Sequence, residues 1–228
     1  MHGGISALTN ARDSKRLLVL GATGGVGREL VKQALKRGHK VTAFVRSPQK
    51  LGGPQDGLKV IRGNLLAEEI GAALAGHDAV ISAVGPPGPG RTSVAQESAR
   101  AIVAAMEATG VRRLLIVGVA VLFEDAGILA RLLRRTLLRG VADDSAAMER
   151  IVKATRFDWT IVRPPRLTNG LRTERYGVAD DHLPNGAGGA SAISRADVAH
   201  FILEELDRSE HLRRVVGIAN TKAPAAAS

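Results

Sequence analysis

Apolar residues along the chain follow two rhythms: short, nearly unbroken apolar runs, and segments whose apolar positions recur every three or four residues. The first run covers 16–21. After it Val26, Leu30, Val31, Ala34 and Leu35 share one helical face, and Gly38 supplies a stop. Strands are predicted at 40–45, 58–62 and 79–84, with a weak helix over 68–75. Further helices are predicted over 94–109, around 145–154 and over 196–206, and further strands at 113–117, 159–162 and 214–218. Strands that are apolar throughout and alternate with helices imply a parallel sheet covered on both faces. The fold class is therefore α/β, a doubly wound parallel sheet of Rossmann type in a single domain. That domain covers 16–219, with flexible tails at 1–15 and 220–228. Residues 168–189 break the rhythm: they are rich in Gly, Asn, Asp and Pro and hold the sole tyrosine, Tyr176. This stretch reads either as a substrate loop or as a surface excursion.

The first strand runs directly into Gly21-Ala-Thr-Gly24-Gly-Val-Gly27, and a helix follows. Glycines at this spacing allow a tight strand-to-helix turn and close approach of a pyrophosphate, while the helix N-terminus favours negative charge. The alternative is a purely structural turn, but the strand–turn–helix context favours dinucleotide binding. The end of the second strand reads Phe44-Val45-Arg46-Ser47-Pro48, with no acid beside it. An acid there would select NAD, whereas an Arg accommodates the 2′-phosphate of NADP(H), with Ser47 as an added donor. A solvated loop Arg is the competing reading. Asn64 after the third strand is placed to meet the adenine edge. Ala83, Val84 and Gly85 after the fourth offer a small backbone for the cofactor to pass.

Composition narrows the classes further. The chain has 228 residues, 45% hydrophobic and 24% charged, an ordinary globular balance. With no cysteine it holds neither a disulfide scaffold, a thiolate metal site nor a cysteine nucleophile. No run is long and apolar enough for stable membrane insertion, and the N-terminus lacks a signal-peptide core, so a cytoplasmic location is expected. The net charge of +10 invites nucleic acid, but one Trp, one Tyr and four Phe leave few stacking platforms. No nucleic-acid partner is expected; an anionic cofactor answers the charge instead.

Beyond the glycine motif, several stretches carry a resemblance. They are Arg37-Gly-His-Lys-Val-Thr-Ala-Phe-Val-Arg46, His77-Asp-Ala-Val-Ile-Ser82, Ser98-Ala-Arg-Ala-Ile-Val-Ala-Ala-Met106, Asp158-Trp-Thr-Ile-Val-Arg-Pro-Pro-Arg166 and Ile193-Ser-Arg-Ala-Asp-Val-Ala-His200. The chain resembles the atypical short-chain dehydrogenases/reductases, in the biliverdin reductase B/flavin reductase-like (NmrA-like) branch. The resemblance implies NADPH binding and hydride transfer to a small conjugated acceptor such as a flavin, quinone or tetrapyrrole, by a monomer or homodimer. It implies cofactor contacts at Gly21, Thr23, Gly24, Gly25, Val26, Gly27, Arg46, Asn64, Leu65, Val84 and Gly85, with Pro164 and Pro165 beside the nicotinamide.

The chain departs from the wider superfamily where alcohol–ketone chemistry needs its proton donor. Tyr176 is followed four residues later by Asp180, not Lys, and the segment after the fifth strand reads Val117-Gly-Val-Ala120 without a serine. Where flavin reductase-like relatives carry active-site histidines, this chain has Ser145 and Arg166. Arg166 is the candidate for stabilising charge on the acceptor, or else a salt-bridge or phosphate-facing residue; Ser145 is a candidate site residue or a helix cap. Flavin or quinone reduction demands mainly orientation of two rings. The alternative function is a non-catalytic NAD(P)-sensing regulator of the NmrA-like kind. Finally, Arg131, Arg135 and Arg139 fall on one face of a predicted helix over 128–139, readable as a solvated face, a lid or an anionic-surface contact.

Overall fold

The computed structural model describes residues 13–220 apart from 87, 89 and 188–190. The tails expected at 1–15 and 220–228 thus lie almost wholly outside the described residues, as do the last two positions of the 168–189 loop. The elements run β1 (Arg16–Leu20), α1 (Gly25–Lys36), β2 (Lys40–Val45), β3 (Leu58–Arg62), α2 (Ala67–Leu74), β4 (Ala79–Ser82), α3 (Val94–Thr109) and β5 (Arg113–Val117). They continue with α4 (Gly127–Arg135), α5 (Arg139–Lys153), β6 (Asp158–Arg163), β7 (Arg166–Thr168), β8 (Gly177–Asp180), β9 (Ala192–Ser194), α6 (Arg195–Arg208) and β10 (Arg214–Ala219). Eight strands form one sheet in the order β3-β2-β1-β4-β5-β6-β10-β8, all parallel except the edge strand β8. The strand order reverses direction between β1 and β4. Loops leaving those two strands diverge there and open a crevice at the C-terminal edge of the sheet.

Why the strands are apolar throughout is visible in β1, where Leu17, Leu18, Val19 and Leu20 are all buried. Alternate side chains enter opposite layers. Leu18 and Leu20 pack with residues of α2, α3 and α5, while Leu17 and Val19 pack with residues of α1 and α6. Trp159, the only tryptophan, sits near the start of β6 in the first of these layers, 6% exposed and with Nε1 unpartnered among the described residues.

Several expectations need correction. Helix α5 begins at Arg139, so Ser145 lies mid-helix and caps nothing. The basic segment 128–139 is not one helix. After α4 the Thr136 hydroxyl bonds the Leu132 carbonyl at 2.9 Å, the chain turns, and Arg139 opens α5. Strand β4 stops at Ser82, which releases Ala83 and Val84 into the crevice. Three strands escaped sequence reading: β7 and β9, which pair with each other, and β8, which closes the sheet inside the 168–189 loop.

Candidate functional site: a two-chambered cleft around the glycine loop

The turn after β1 is fixed by glycines in contact. Gly21 has φ +74°, and a Cβ there would stand 2.5 Å from the Ala83 carbonyl oxygen. A Cβ on Gly27 would collide with the Gly21 carbonyl, so Gly27 seats α1 against the turn instead of facing the cleft. The first turn of α1 contains no acidic residue, and its N-cap Gly24 makes no side-chain cap. Its leading N–H groups therefore present an unneutralised positive end to the crevice.

Two cavities meet at this turn and share Gly24, Ala83, Val84 and Gly85. The first, about 290 Å³, is lined by Gly21, Thr23, Phe44, Val45, Arg46, Ser47, Lys50, Gly63 and Leu65 among others. Among the described residues its wall holds two cations and no carboxylate. Arg46 and Lys50 are exposed and make no ion pair among the described residues. Asn64 lies in an adjoining hollow, where its backbone N–H donates to Glu69 Oε2 at 2.7 Å. The second cavity, about 320 Å³, runs from Gly25 and Val26 past Pro86, Ala95, Val117, Gly118 and Val119 to Val141, Asp144, Ser145, Leu167 and Arg195.

The walls of that second chamber are held by groups distant in sequence. Asp144, 3% exposed, accepts the backbone N–H of Ala95 at 3.0 Å and of Gln96 at 2.9 Å. It caps α3 from α5 and is thereby committed. Behind Gly118, buried Glu149 takes both forks of Arg163 at 2.8 and 2.7 Å and pairs with Lys153 at 3.2 Å. The Arg163 guanidinium also lies 4.5 Å over the Phe123 ring. This network buttresses the chamber floor and does not open into it.

The 168–189 loop is tied down at its start. Asp197 accepts the N–H of Thr173 at 2.7 Å and of Glu174 at 2.9 Å, and the hydroxyls of Thr173 and Ser194 at 2.9 Å each. Burial pushes this carboxyl up, but the donors outweigh it and hold it below the usual carboxylate range. Tyr176 is turned away from the cleft. Its hydroxyl meets His200 Nδ1 at 2.7 Å, and burial together with nearby carboxylates pushes the phenol up.

The structure brings most of the sequence-predicted residues together. Gly21, Thr23, Gly24, Arg46, Ser47, Leu65, Ala83, Val84 and Gly85 line the first chamber, and Gly25, Val26 and Ser145 the second. Pro164 and Pro165 line neither; the Pro164 carbonyl accepts the Ala120 N–H at 3.0 Å. Arg166 is also outside. On β7 side chains alternate, and because Leu167 faces the chamber Arg166 points away and is exposed. The cation that does line this chamber is Arg195. Sequence reasoning missed it together with Lys50, although Lys50 follows Arg46 within the turn.

Comparison with known proteins then decides the family. The NAD(P)H-binding family profile matches residues 21–209. The chain belongs to the NAD(P)H-binding family. YwnB of Bacillus subtilis (strain 168), an uncharacterized protein, is 31% identical over 204 residues, covering 85% of this chain and 92% of that one. A solved structure from Streptococcus pneumoniae TIGR4, nominally an NADH-flavin reductase, superposes with a TM-score of 0.74 at 27% identity, covering 91% of this chain and 100% of that one. Another, from Bacillus halodurans and nominally an NAD-dependent epimerase/dehydratase, gives 0.76 at 26% identity over 92% and 96%. The kinship with atypical short-chain dehydrogenases/reductases expected from the motifs holds, and this NAD(P)H-binding chain is oxidoreductase-like in family and Rossmann-like in fold. No helix among the described residues is long and apolar enough to cross a membrane.

Proposed function

We propose that this NAD(P)H-binding protein is an NADPH-dependent reductase of a small conjugated acceptor, such as a flavin or quinone. The observation that carries the reading is the joining of a chamber rimmed by Arg46 and Lys50 to one walled mainly by Val117, Val119, Val141 and Leu167 at a single glycine turn. The residues fit the cofactor. Gly21 leaves room that a Cβ would fill, the first turn of α1 is free of acid, and Arg46, Ser47 and Lys50 form a cationic, hydroxyl-bearing rim suited to a 2′-phosphate. Bound there, the cofactor would supply the hydride.

This chain's residues do the rest. Val117, Val119, Val141 and Leu167 exclude water and offer flat apolar walls to a ring system, and Ser145 offers one hydroxyl. Asp144 holds two backbone N–H groups of α3, so it serves the shape of the chamber and not proton transfer. With Tyr176 engaged by His200, the acceptor must be one whose proton comes from solvent, which suits flavins and quinones better than ketones. The same engagement of Tyr176 favours, as a second reading, a sensor that binds the dinucleotide without turning it over. The Streptococcus pneumoniae neighbour nominally described as a flavin reductase supports the first. The test is steady-state NADPH oxidation with FMN against a no-enzyme control, beside calorimetric titration with NADPH and NADH. Saturable, enzyme-dependent consumption is expected. Tight NADPH binding with no consumption of any conjugated acceptor would overturn the reductase and leave the sensor.

A further inference from the structure

We propose that Arg195 is a positioning residue that grips the diphosphate of the nicotinamide cofactor and, through Asn169, fixes the loop that follows Leu167. The inference rests on the dinucleotide reading above and assigns to it a residue outside the glycine turn.

The backbone of Arg195 is held rigidly. It is the first residue of α6, directly after β9, whose Ile193 is wholly buried and pairs with Leu167 of β7. Ser194 caps the helix by accepting the Asp197 N–H at 2.9 Å. From this anchor the side chain crosses the glycine turn. A Cβ on Gly25 would lie 2.5 Å from Arg195 Nε and would collide with its Cδ. The glycine at 25 is thus the condition for Arg195 to lie there.

Its guanidinium has five N–H donors. Nη1 donates to Asn169 Oδ1 at 2.7 Å, and no carboxylate pairs with Arg195 among the described residues. A full positive charge therefore sits beside the acid-free first turn of α1, with a neutral carboxamide as its partner. Both sources of positive potential converge where a diphosphate would meet Gly24 and Gly25.

Asn169 carries the effect onward. The loop after β7 has two ties to the start of α6: Asn169 to Arg195, and Thr173 and Glu174 to Asp197. Between them Leu171 is 86% exposed and Arg172 is exposed, and the exposed Arg175 follows directly after the second tie. An anion that immobilises Arg195 also immobilises its acceptor Asn169, and so the first tie. Cofactor binding then orders the loop bordering the acceptor chamber, and the acceptor finds a finished wall.

The test uses the full chain, calorimetry and limited trypsin digestion after Arg172 and Arg175. Arg195→Ala is expected to weaken NADPH by about tenfold to a hundredfold, the loss of charge-assisted bonds. It should leave adenosine 2′-phosphate, which has no diphosphate, within about twofold, and Arg195→Lys should recover part of the loss. NADPH should slow cleavage of the wild type but not of Arg195→Ala or Asn169→Ala. Asn169→Ala, a change at an exposed site, should keep the Tm of the wild type, so that its lost protection reports the tie and not the fold. Equal NADPH affinity in wild type and Arg195→Ala, or protection by NADPH retained in both variants, would overturn the assignment alone. A wild type that binds neither NADPH nor NADH would overturn the dinucleotide reading, and this assignment with it.

Discussion

The two chambers of the cleft are built from different materials. The chamber beside Arg46 is lined mostly by the ends of β1 to β4 and the turns that follow them, with four glycines in its wall and every lining residue between 21 and 94. The second chamber shares that turn, but its far wall is assembled from α5, β7 and α6, with side chains from Val141 to Arg195. In the first, shape is dictated by what glycine permits. In the second a buried carboxylate in the wall ties the elements together, Asp144 of α5 holding the start of α3. The two linings thus come largely from different parts of the chain, joined at Gly24, Ala83, Val84 and Gly85, and on the reading proposed above Arg195 of the second also serves the cofactor.

Substitutions sort by this division. The largest effect is expected from Gly21→Val. The left-handed backbone and the Ala83 carbonyl leave no room for a side chain, so NADPH and NADH should both weaken by at least about a hundredfold, read by calorimetry. Next comes Asp197→Ala, which strands the N–H groups of Thr173 and Glu174 and should cost about 3 kcal/mol, seen as a lowered Tm. The sign with pH follows from its depressed carboxyl. The stabilisation is complete above the ordinary value of 3.8 and is lost as pH falls through the lower folded value, so Asp197→Asn should flatten acid unfolding in that range.

Arg46→Ala should weaken NADPH by roughly tenfold to a hundredfold while leaving NADH within about twofold. Equal losses would remove the 2′-phosphate assignment and blur the division between chambers. Ser145→Ala should raise the acceptor KM by about threefold to tenfold without changing NADPH affinity, the loss of one neutral hydrogen bond. Smallest of all, Arg166→Ala should move neither KM nor kcat beyond about twofold, because its side chain is exposed outside the chamber. A large effect at Arg166 would place the acceptor on the outer face of β7.

The same division explains what the sequence reveals. Strands β2, β3 and β5 and helix α3 fall on their expected bounds, since apolar runs and a glycine stop at Gly110 mark them directly. The glycine turn and Arg46 are legible because strand, turn and helix are contiguous there. The far wall of the second chamber is not legible in this way. Ser145 is mid-helix because α5 starts earlier, at Arg139, in the stretch Arg139-Gly-Val-Ala-Asp-Asp144, whose glycine and adjacent aspartates hide the helical pattern. Strands β7 and β9 have three residues each and pair across a gap in sequence, too short for any periodicity. Arg195 is marked by no local pattern. Its position depends on a glycine at 25, and that relation exists only once the chain has folded.

Trp159 has a practical consequence for every titration above. As the sole indole, near the β6 terminus opposite the crevice, it gives an emission signal from one site only. Its intensity should follow global unfolding with a single transition in the absence of ligand, while energy transfer from the indole to bound reduced nicotinamide adds a reading of binding. Loss of fold and loss of binding can thus be read from one cuvette, the first by indole emission and the second by the fluorescence of the reduced nicotinamide.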